Sequence, residues 1–289
     1  MDVLASLVVG LSSGGLFALF GVLLTLVASL TRVINFSQVA VGVFGAYLSI
    51  HLTSTMTPLP QWASTLIAVI AGALLSAGLG WVISRWLGDS STTARSAVTV
   101  AALLGLVSLS FIVFGTQPQQ LRPLLIGPVF TIGAIAVTKV GVLLLVLAIV
   151  TAAVARAVLT WTPLGVRLRA VADRQTTAEL QGINVRGLQV VVWAFVGAMS
   201  GLVVSVVGNS QAAGAQSMVT LLVPSAAAAL VGGFRSVALT IVGGLVVGGV
   251  QGVLTAFPAI TLLNDWVPIV VIVVFLLWNQ RKEVWDAAR

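Results

Sequence analysis

The sequence predicts an all-α integral membrane protein, a polytopic helix bundle of eight to nine transmembrane segments with one long charged loop. Three observations predict this fold class. Hydrophobic residues make up 59% of the 289 residues and charged residues only 7%, whereas soluble domains carry about 25% charged residues. Apolar stretches recur at lengths near the roughly 20 residues that a membrane-spanning helix needs. Finally, six charged residues fall within one stretch of 20 positions, 167–186.

Nine apolar segments are predicted as spans: 4–30, 35–52, 62–87, 97–114, 137–159, 190–207, 219–233, 237–257 and 266–278. The first should stay in the mature protein, because the N-terminus lacks the basic region of a cleaved signal peptide. The second, seventh and ninth are short. One of them is predicted to be re-entrant, and Pro224 makes the seventh the best candidate. The loop 115–136 holds three prolines and is predicted to form turns.

The basic residues predict the orientation of these segments. With the N-terminus outside, the cytoplasmic side holds twelve of them, and the outer side holds only Arg122 and Lys139. Such a bias is the positive-inside pattern of membrane proteins. The twelve are Arg32, Arg85, Arg95, Arg156, Arg167, Arg169, Arg174, Arg186, Arg235, Arg281, Lys282 and Arg289. Because they lie at the ends of apolar segments, the net charge of +7 indicates orientation rather than nucleic-acid binding.

Glycine is abundant, with 29 residues, and many glycines lie inside the predicted spans. Gly244 and Gly248 have the GxxxG spacing that lets two membrane helices approach closely. The sequence therefore predicts a tight helix contact along the segment 237–257.

The sequence offers no catalytic or metal site. There is no cysteine and a single histidine, His51, which supports neither a metal centre nor a catalytic triad. No carboxylate lies in the middle of a span, which argues against an ion-coupled secondary carrier. The phosphate-binding loop of ATPases ends in Lys followed by Ser or Thr, but Lys139 precedes valine and Lys282 precedes glutamate. If ATP drives this protein, another chain must bind it.

The charged loop, residues 160–189, has its own predicted architecture. Thr162 and Pro163 form a typical helix start, and the spacing of Leu164, Leu168 and Val171 predicts one apolar face. Thr176 and Glu179 have the capping-box spacing that starts a second short helix, which Gly182 would end. Two uses fit two short amphipathic helices under a membrane: they bind a partner protein, or they rest on the lipid surface through their arginines.

The residues from 165 to 185, GVRLRAVADRQTTAELQGINV, resemble the coupling loop of the permease subunits of branched-chain amino acid ABC importers. The shared pattern falls on Gly165, Arg169, Ala170, Asp173, Ala178, Gly182, Ile183 and Asn184. Two further blocks resemble the same family: GLSSGGLFALFGVLLTLVASLTRVINFSQ in the first span and LVGGFRSVALTIVGGLVVGG near the end. The resemblance is greater to the LivH-type half of the permease pair than to the LivM-type half.

The resemblance implies one transmembrane permease domain over residues 1–289 in a bacterial plasma (inner) membrane, with membrane lipid around it. It also implies several partners: a second permease subunit (a paralogue or a copy), two cytoplasmic ATPase subunits that bind the ATP and magnesium, and an extracytoplasmic binding protein. No cofactor is expected in the chain itself. The residues expected to couple to the ATPase are Gly165, Arg167, Arg169, Ala170, Asp173, Arg174, Ala178, Glu179 and Gly182.

Uncharged polar residues in or near the spans are candidates for a substrate pathway. They are Asn35, Ser37, Gln38, Asn209, Gln211 and Gln251. An alternative role for them is hydrogen bonding between helices or exposure in loops. The family often continues after Asn-Phe-Ser with His-Gly-Glu, whereas this chain has Gln38, Val39 and Ala40. The missing acid makes urea or a short amide a possible substrate beside a branched-chain amino acid.

Three functions from different classes therefore remain open on the sequence alone. The first is a permease subunit of an ATP-driven importer, moved through the segment 163–184. The second is an ATP-independent facilitator or secondary carrier of small amides or urea, and the third is a membrane scaffold that transports nothing. The three resembling blocks favour the first, and the lack of charge within the spans disfavours the second.

Overall fold

A computed structural model describes residues 3–55, 60–88, 90–116, 125, 127–132, 135–207 and 219–287. This part of the chain is almost entirely helical, as predicted. The α-helices are α1 (Val3–Thr31), α2 (Gln38–Thr55), α3 (Gln61–Trp86), α4 (Thr92–Phe114), α5 (Lys139–Trp161), α6 (Pro163–Asp173), α7 (Gln175–Leu180), α8 (Val185–Val207), α9 (Leu222–Val231), α10 (Val237–Thr255) and α11 (Val267–Ala287). A 3-10 helix, Pro258–Trp266, precedes α11.

Seven helices among the described residues are long and apolar enough to cross a membrane, which confirms a multi-pass membrane protein. Two shorter apolar helices, Gln38–Thr53 and Leu222–Val231, match the predicted short segments two and seven. The prediction that the ninth segment is short was wrong. Its apolar helical stretch runs over Pro258–Gln280, because the 3-10 helix continues directly into α11.

The short helix α9 has ten residues, which at 1.5 Å per residue span about 15 Å, half of a bilayer core. Pro224 does not interrupt it. The proline lies in the first helical turn, where its missing N–H has no helical partner to lose. That this segment is re-entrant stays a prediction, since residues 208–218 lie outside the described part of the chain.

A small antiparallel hairpin precedes α5, where only turns were predicted. Strand β1 (Pro128–Ile132) pairs with β2 (Ile135–Thr138), with Phe130 opposite Val137. The fifth span was predicted to begin at residue 137, but helix α5 begins at Lys139. Val137 belongs to the hairpin instead, because an apolar β-branched residue suits a strand as well as a membrane helix.

The chain divides into two compact units. One comprises residues 1–25, 127–152 and 223–289, and the other comprises 26–126 and 153–222. That residues 1–289 form one permease domain stays a prediction.

In the first unit, glycines bring α10 against α1, which confirms the close approach predicted from the GxxxG spacing. A Cβ atom at Gly244 would overlap the backbone of Ala18, and one at Gly248 would overlap Gly14. The backbones therefore touch with no side chain between them. The hydroxyls of Thr25 and Thr240 also lie 3.0 Å apart in a buried hydrogen bond between the same two helices.

The block LVGGFRS forms the turn between α9 and α10. Gly233 and Phe234 both adopt left-handed backbone conformations, with φ of 59° and 52°. Gly232 lies so close to Thr240 that a Cβ would overlap the threonine hydroxyl. Ser236 then starts α10, because its hydroxyl accepts a hydrogen bond from the N–H of Leu239. The Gly-Gly-x-x-Ser pattern thus has a structural purpose, which is to reverse the chain within five residues.

In the second unit, α2, α3 and α8 pack together, again through glycine. A Cβ atom at Gly72 of α3 would overlap the carbonyl of Gly197 in α8, and one at Gly201 would overlap the carbonyl of Ala68. Further along, Gly80 lies against the ring of Trp193, which is only 1% exposed. This three-helix core supports the charged loop at one end, because α8 continues directly from it.

Candidate functional site

The charged loop forms the two short helices that its sequence predicts. Thr162 caps α6, since its hydroxyl accepts a hydrogen bond from the N–H of Gly165 at 3.1 Å. A side chain at Gly165 would overlap Val158 and Leu159, so the glycine permits the tight turn between α5 and α6. Of the predicted apolar face, Leu168 and Val171 are buried and Leu164 is 40% exposed, although Leu164 and Leu168 line one apolar groove. Gly165 is buried as well.

The second short helix, α7, begins two residues earlier than the capping-box pattern predicts. Its N-cap is Arg174, and no side chain caps it. The predicted capping role of Thr176 was therefore wrong, since the α6 helix ends only at Asp173 and the chain turns at once. The prediction for the other end is confirmed. Gly182 adopts φ of 77°, and the N–H of Ile183 bonds the carbonyl of Ala178 at 3.1 Å, as in a glycine-terminated helix.

Helix α8 follows after a short connection and has its own cap. The side-chain oxygen of Asn184 accepts a hydrogen bond from the N–H of Gly187 at 3.0 Å. The Gly-Ile-Asn sequence thus ends one helix, fills the loop core and starts the next helix, which explains three positions of the family pattern in structural terms.

The charged loop has a small hydrophobic core of its own. Val171, Ala178 and Val185 are at most 4% exposed and form a cluster against which Ala170, Ile183 and Leu188 pack. Because one member comes from α6, one from α7 and one from the start of α8, the three segments hold together as one body. Of the predicted coupling residues, Gly165, Ala170 and Ala178 therefore shape the loop.

The other predicted coupling residues lie on the surface of the loop, namely Arg167, Arg169, Asp173, Arg174, Glu179 and Gly182, all exposed. Two apolar side chains lie exposed in the same helices. Leu180 is 89% exposed and Val166 is 56% exposed. Neither residue is among the predicted coupling residues, although both depart from the buried period of α6 and α7, which was the available signal. Charged groups around exposed apolar anchors are typical of a protein-binding surface.

The second group of predicted residues lies in the elbow, residues 32–37, between α1 and α2. Asn35 and Ser37 are both 0% exposed, and Gln38, the first residue of α2, is 1% exposed. The side-chain oxygen of Asn35 accepts hydrogen bonds from the Ser37 N–H at 3.1 Å and from the Ser37 hydroxyl at 2.7 Å. The predicted second span therefore starts at residue 38 rather than 35, because Asn35 forms a side-chain turn in place of helix.

The other side-chain atom of Asn35 is less well satisfied. Its amide nitrogen Nδ2 is buried and has no hydrogen-bond partner. A buried donor without a partner costs free energy, about 1–3 kcal/mol. Such a group is a candidate to donate to a passing solute.

Helix α4 holds the elbow in place. The hydroxyl of Thr99 accepts a hydrogen bond from the Phe36 N–H at 3.1 Å and donates one to the Ile34 carbonyl at 2.9 Å. The Ser96 hydroxyl accepts another from the Ile34 N–H at 3.2 Å. The backbone of the elbow thus depends on two side chains that are not among the predicted site residues.

Of the remaining predicted pathway residues, Gln251 belongs to the first compact unit, whereas the elbow belongs to the second. The side-chain nitrogen of Gln251 in α10 donates to the Asn264 carbonyl at 3.1 Å and ties α10 to the 3-10 helix. This bond is an example of the alternative role, hydrogen bonding between helices. Asn209 and Gln211 lie outside the described residues. The pathway role of all six residues stays a prediction.

An apolar groove of about 220 Å³ lies beside the charged loop. It is lined by residues of α1, α5, α6 and α8, among them Leu30, Val158, Leu168 and Phe195. Since its walls are apolar, the groove does not suit a small polar solute. Among the described residues, no group of three His, Cys, Asp or Glu side chains could hold a metal ion.

Comparison with known proteins decides the family. The family described as the permease component of the branched-chain amino acid transport system matches residues 6–277 of this chain. The chain belongs to this permease family. Among curated proteins, the probable branched-chain amino acid transport permease protein LivH of Methanocaldococcus jannaschii is 25% identical over 256 residues, which cover 84% of this chain and 78% of that protein. The predicted resemblance to LivH-type permeases is thereby confirmed.

The family match of the permease runs through the elbow, the charged loop and the glycine turn. In the structure these three blocks have distinct forms: a buried polar turn, an exposed charged surface on a small core, and a tight chain reversal. The first two carry side chains that chemistry or a partner could use. The third has a structural role that its own contacts explain.

Proposed function

We propose that this permease is the LivH-type membrane subunit of an ATP-driven importer, moved by a separate ATPase that binds the charged loop. One observation carries the proposal most directly. A loop with its own hydrophobic core presents Arg167, Arg169, Asp173 and the 89% exposed Leu180 beneath a membrane bundle. A compact, charged loop with one exposed apolar side chain suits a groove in another protein better than it suits a lipid surface.

The energy must come from a partner, because neither lysine of the chain stands in the phosphate-binding pattern of ATPases. The assembly that we propose contains a second permease subunit, two cytoplasmic ATPase subunits that bind ATP with magnesium, and an extracytoplasmic binding protein that delivers the substrate. The twelve basic residues on one side orient the charged loop toward the cytoplasm of a bacterial inner membrane. Closure of the ATPase pair would push the charged loop and switch the permease between its two open states.

The proposed substrate is a branched-chain amino acid or a related small polar solute. The elbow supports this choice, because the buried Asn35 offers an unused amide donor close to the buried Ser37 and Gln38. Uncharged donors and acceptors suit a zwitterion or an amide, which brings no net charge into the membrane. We include Asn209, Gln211 and Gln251 in the proposed pathway as further uncharged groups.

Reconstitution tests this proposal. The permease is co-expressed with the ATPase and permease genes beside it, purified as a complex and placed in vesicles with the neighbouring binding protein. We expect uptake of labelled leucine or valine that needs ATP on the cytoplasmic face, with urea and acetamide tested in parallel. Uptake by this polypeptide alone without ATP would instead favour a facilitator. A failure to form any complex would contradict the proposal.

Removal of the Nδ2 donor of Asn35 should weaken substrate transfer more than it lowers the stability of the fold. We expect Asn35→Ala to raise the KM of uptake by about tenfold, which corresponds to the loss of one buried hydrogen bond to the solute. Thr99→Val is a matched control, because it removes the hydroxyl that holds the elbow backbone but leaves the Nδ2 donor. Equal KM values for the two variants would mean that Asn35 only shapes the turn.

A further inference from the structure

Arg32 connects the C-terminal end of α1 with the C-terminal end of α6, the first helix of the charged loop. The Nε atom of Arg32 donates to the carbonyl of Ala172 at 2.9 Å, and a terminal nitrogen donates to the carbonyl of Asp173 at 2.6 Å. Both carbonyls belong to the last turn of α6, which ends at Asp173. The last carbonyls of a helix lack helical partners and carry partial negative charge, so a guanidinium binds them well.

The backbone of Arg32 has a second role. Its N–H bonds the carbonyl of Ala28 at 3.0 Å, and its φ of 56° is in the left-handed region. Arg32 thus ends α1 in the way that glycine or asparagine usually does. At such a position an arginine is unusual, and its backbone role does not require the long side chain. The guanidinium therefore has a separate reason to be there, and its bonds to α6 supply one.

The elbow begins at this same arginine. Two residues beyond it, Ile34 is held to α4 by Ser96 and Thr99, and Asn35 lies fully buried. The elbow is therefore fixed to the bundle on one side and to the charged loop on the other. A displacement of α6 relative to α4 is thereby coupled to the elbow through the two Arg32 bonds.

We propose that Arg32 is a positioning residue that transmits the movement of α6 to the elbow and so to Asn35. This inference rests on the proposed function, because it assumes that an ATPase moves the charged loop. The planar fork of arginine explains the choice of side chain. It can hold two neighbouring carbonyls at once, whereas the single ammonium of lysine is a point charge.

The test compares three variants in the complete complex with its ATPase and binding protein. Arg32→Asn removes the guanidinium but keeps a residue that tolerates the left-handed conformation. Arg32→Lys keeps the charge but loses the fork, and Arg85→Asn removes an exposed arginine from the side predicted to be cytoplasmic. We expect Arg32→Asn to lower the number of solutes moved per ATP about tenfold, with assembly and ATP hydrolysis retained. With Arg32→Lys, the number of solutes moved per ATP should be intermediate. With Arg85→Asn, it should equal that of the unsubstituted chain.

A local reporter separates transmission from a merely structural role. The chain has no cysteine, so Ile34→Cys introduces one thiol in the elbow, and a gel separates this subunit from its partners. Its rate of maleimide labelling is measured with and without ATP and vanadate, which trap the closed ATPase. We expect the rate to change when Arg32 is present and to stay constant in the background of Arg32→Asn.

The outcomes are distinct. Normal transport and a normal labelling change with Arg32→Asn would overturn the inference. So would an equal loss of assembly, ATP hydrolysis and transport in both Arg32 variants, because Arg32 would then only hold the loop together. A labelling rate that ATP never changes in an actively transporting complex would also overturn it. By contrast, uptake without ATP by the unsubstituted chain would contradict the proposed function itself.

Discussion

Replacement of Arg169 and Asp173 together by alanine is expected to abolish ATP-driven uptake while membrane insertion stays normal. Both side chains are exposed on α6, so their loss should change the free energy of folding by only about 0.5 kcal/mol. At the centre of a binding surface, by contrast, such side chains contribute about 2 kcal/mol or more each. We therefore expect uptake in reconstituted vesicles to fall at least about thirtyfold.

The same complex provides the control. Arg85→Ala with Arg156→Ala removes two exposed arginines outside the charged loop and should leave uptake and ATPase binding unchanged. Binding of the ATPase is measured by co-purification, and insertion by the yield of monodisperse permease. Full uptake by the Arg169 and Asp173 double variant would count strongly against the charged loop as the ATPase-binding surface.

Substitution of Gly72 by alanine is expected to destabilise the helix bundle severely, whereas the same change at Gly78 should not. Both glycines belong to α3, but a Cβ at Gly72 would overlap the backbone carbonyl of Gly197, and a Cβ at Gly78 would meet nothing within 4 Å. Backbone cannot move aside as a side chain can, so Gly72→Ala should cost about 2–3 kcal/mol. Gly78→Ala should gain up to about 1 kcal/mol from its higher helix propensity.

The measurement is the thermal midpoint of the detergent-solubilised permease, followed by loss of the monodisperse peak on size exclusion. We expect the midpoint of Gly72→Ala to lie several degrees below that of the unsubstituted chain, and the midpoint of Gly78→Ala to lie at or above it. Similar midpoints for the two variants would show that α3 and α8 do not rely on direct backbone contact.

Hydropathy predicted the helical membrane class and most helix positions, because burial in lipid demands long apolar runs. It could not distinguish a strand from a helix at Val137, where a β-branched residue suits both. Nor could it show that the 3-10 helix from Pro258 continues into α11, because proline and the polar pair Asn264 and Asp265 interrupt the apolar run. These differences depend on tertiary contacts that local composition does not contain.

In the charged loop too, the sequence predicted local features but not the tertiary contacts. Thr162, Pro163 and Gly182 act locally, through their own hydrogen bonds and backbone angles, and the sequence predicted their roles. The apolar spacing did not reveal that Leu164 is 40% exposed, because the close approach of Gly165 to Val158 sets the rotation of α6. The bonds of Arg32 to Ala172 and Asp173 join residues about 140 positions apart, and no local pattern signals them.

The glycine contact between α3 and α8 has a mechanical consequence. Helix α8 has 23 residues, about 34 Å of stiff rod, with Val185 in the core of the charged loop and Gly197 near its midpoint. Since α8 also touches α3 at Trp193 and Gly201, the contact extends over about two helical turns and leaves no single pivot point. A push at Val185 would therefore carry α3 along with α8 and reach Val207 as a shared shift of both rods.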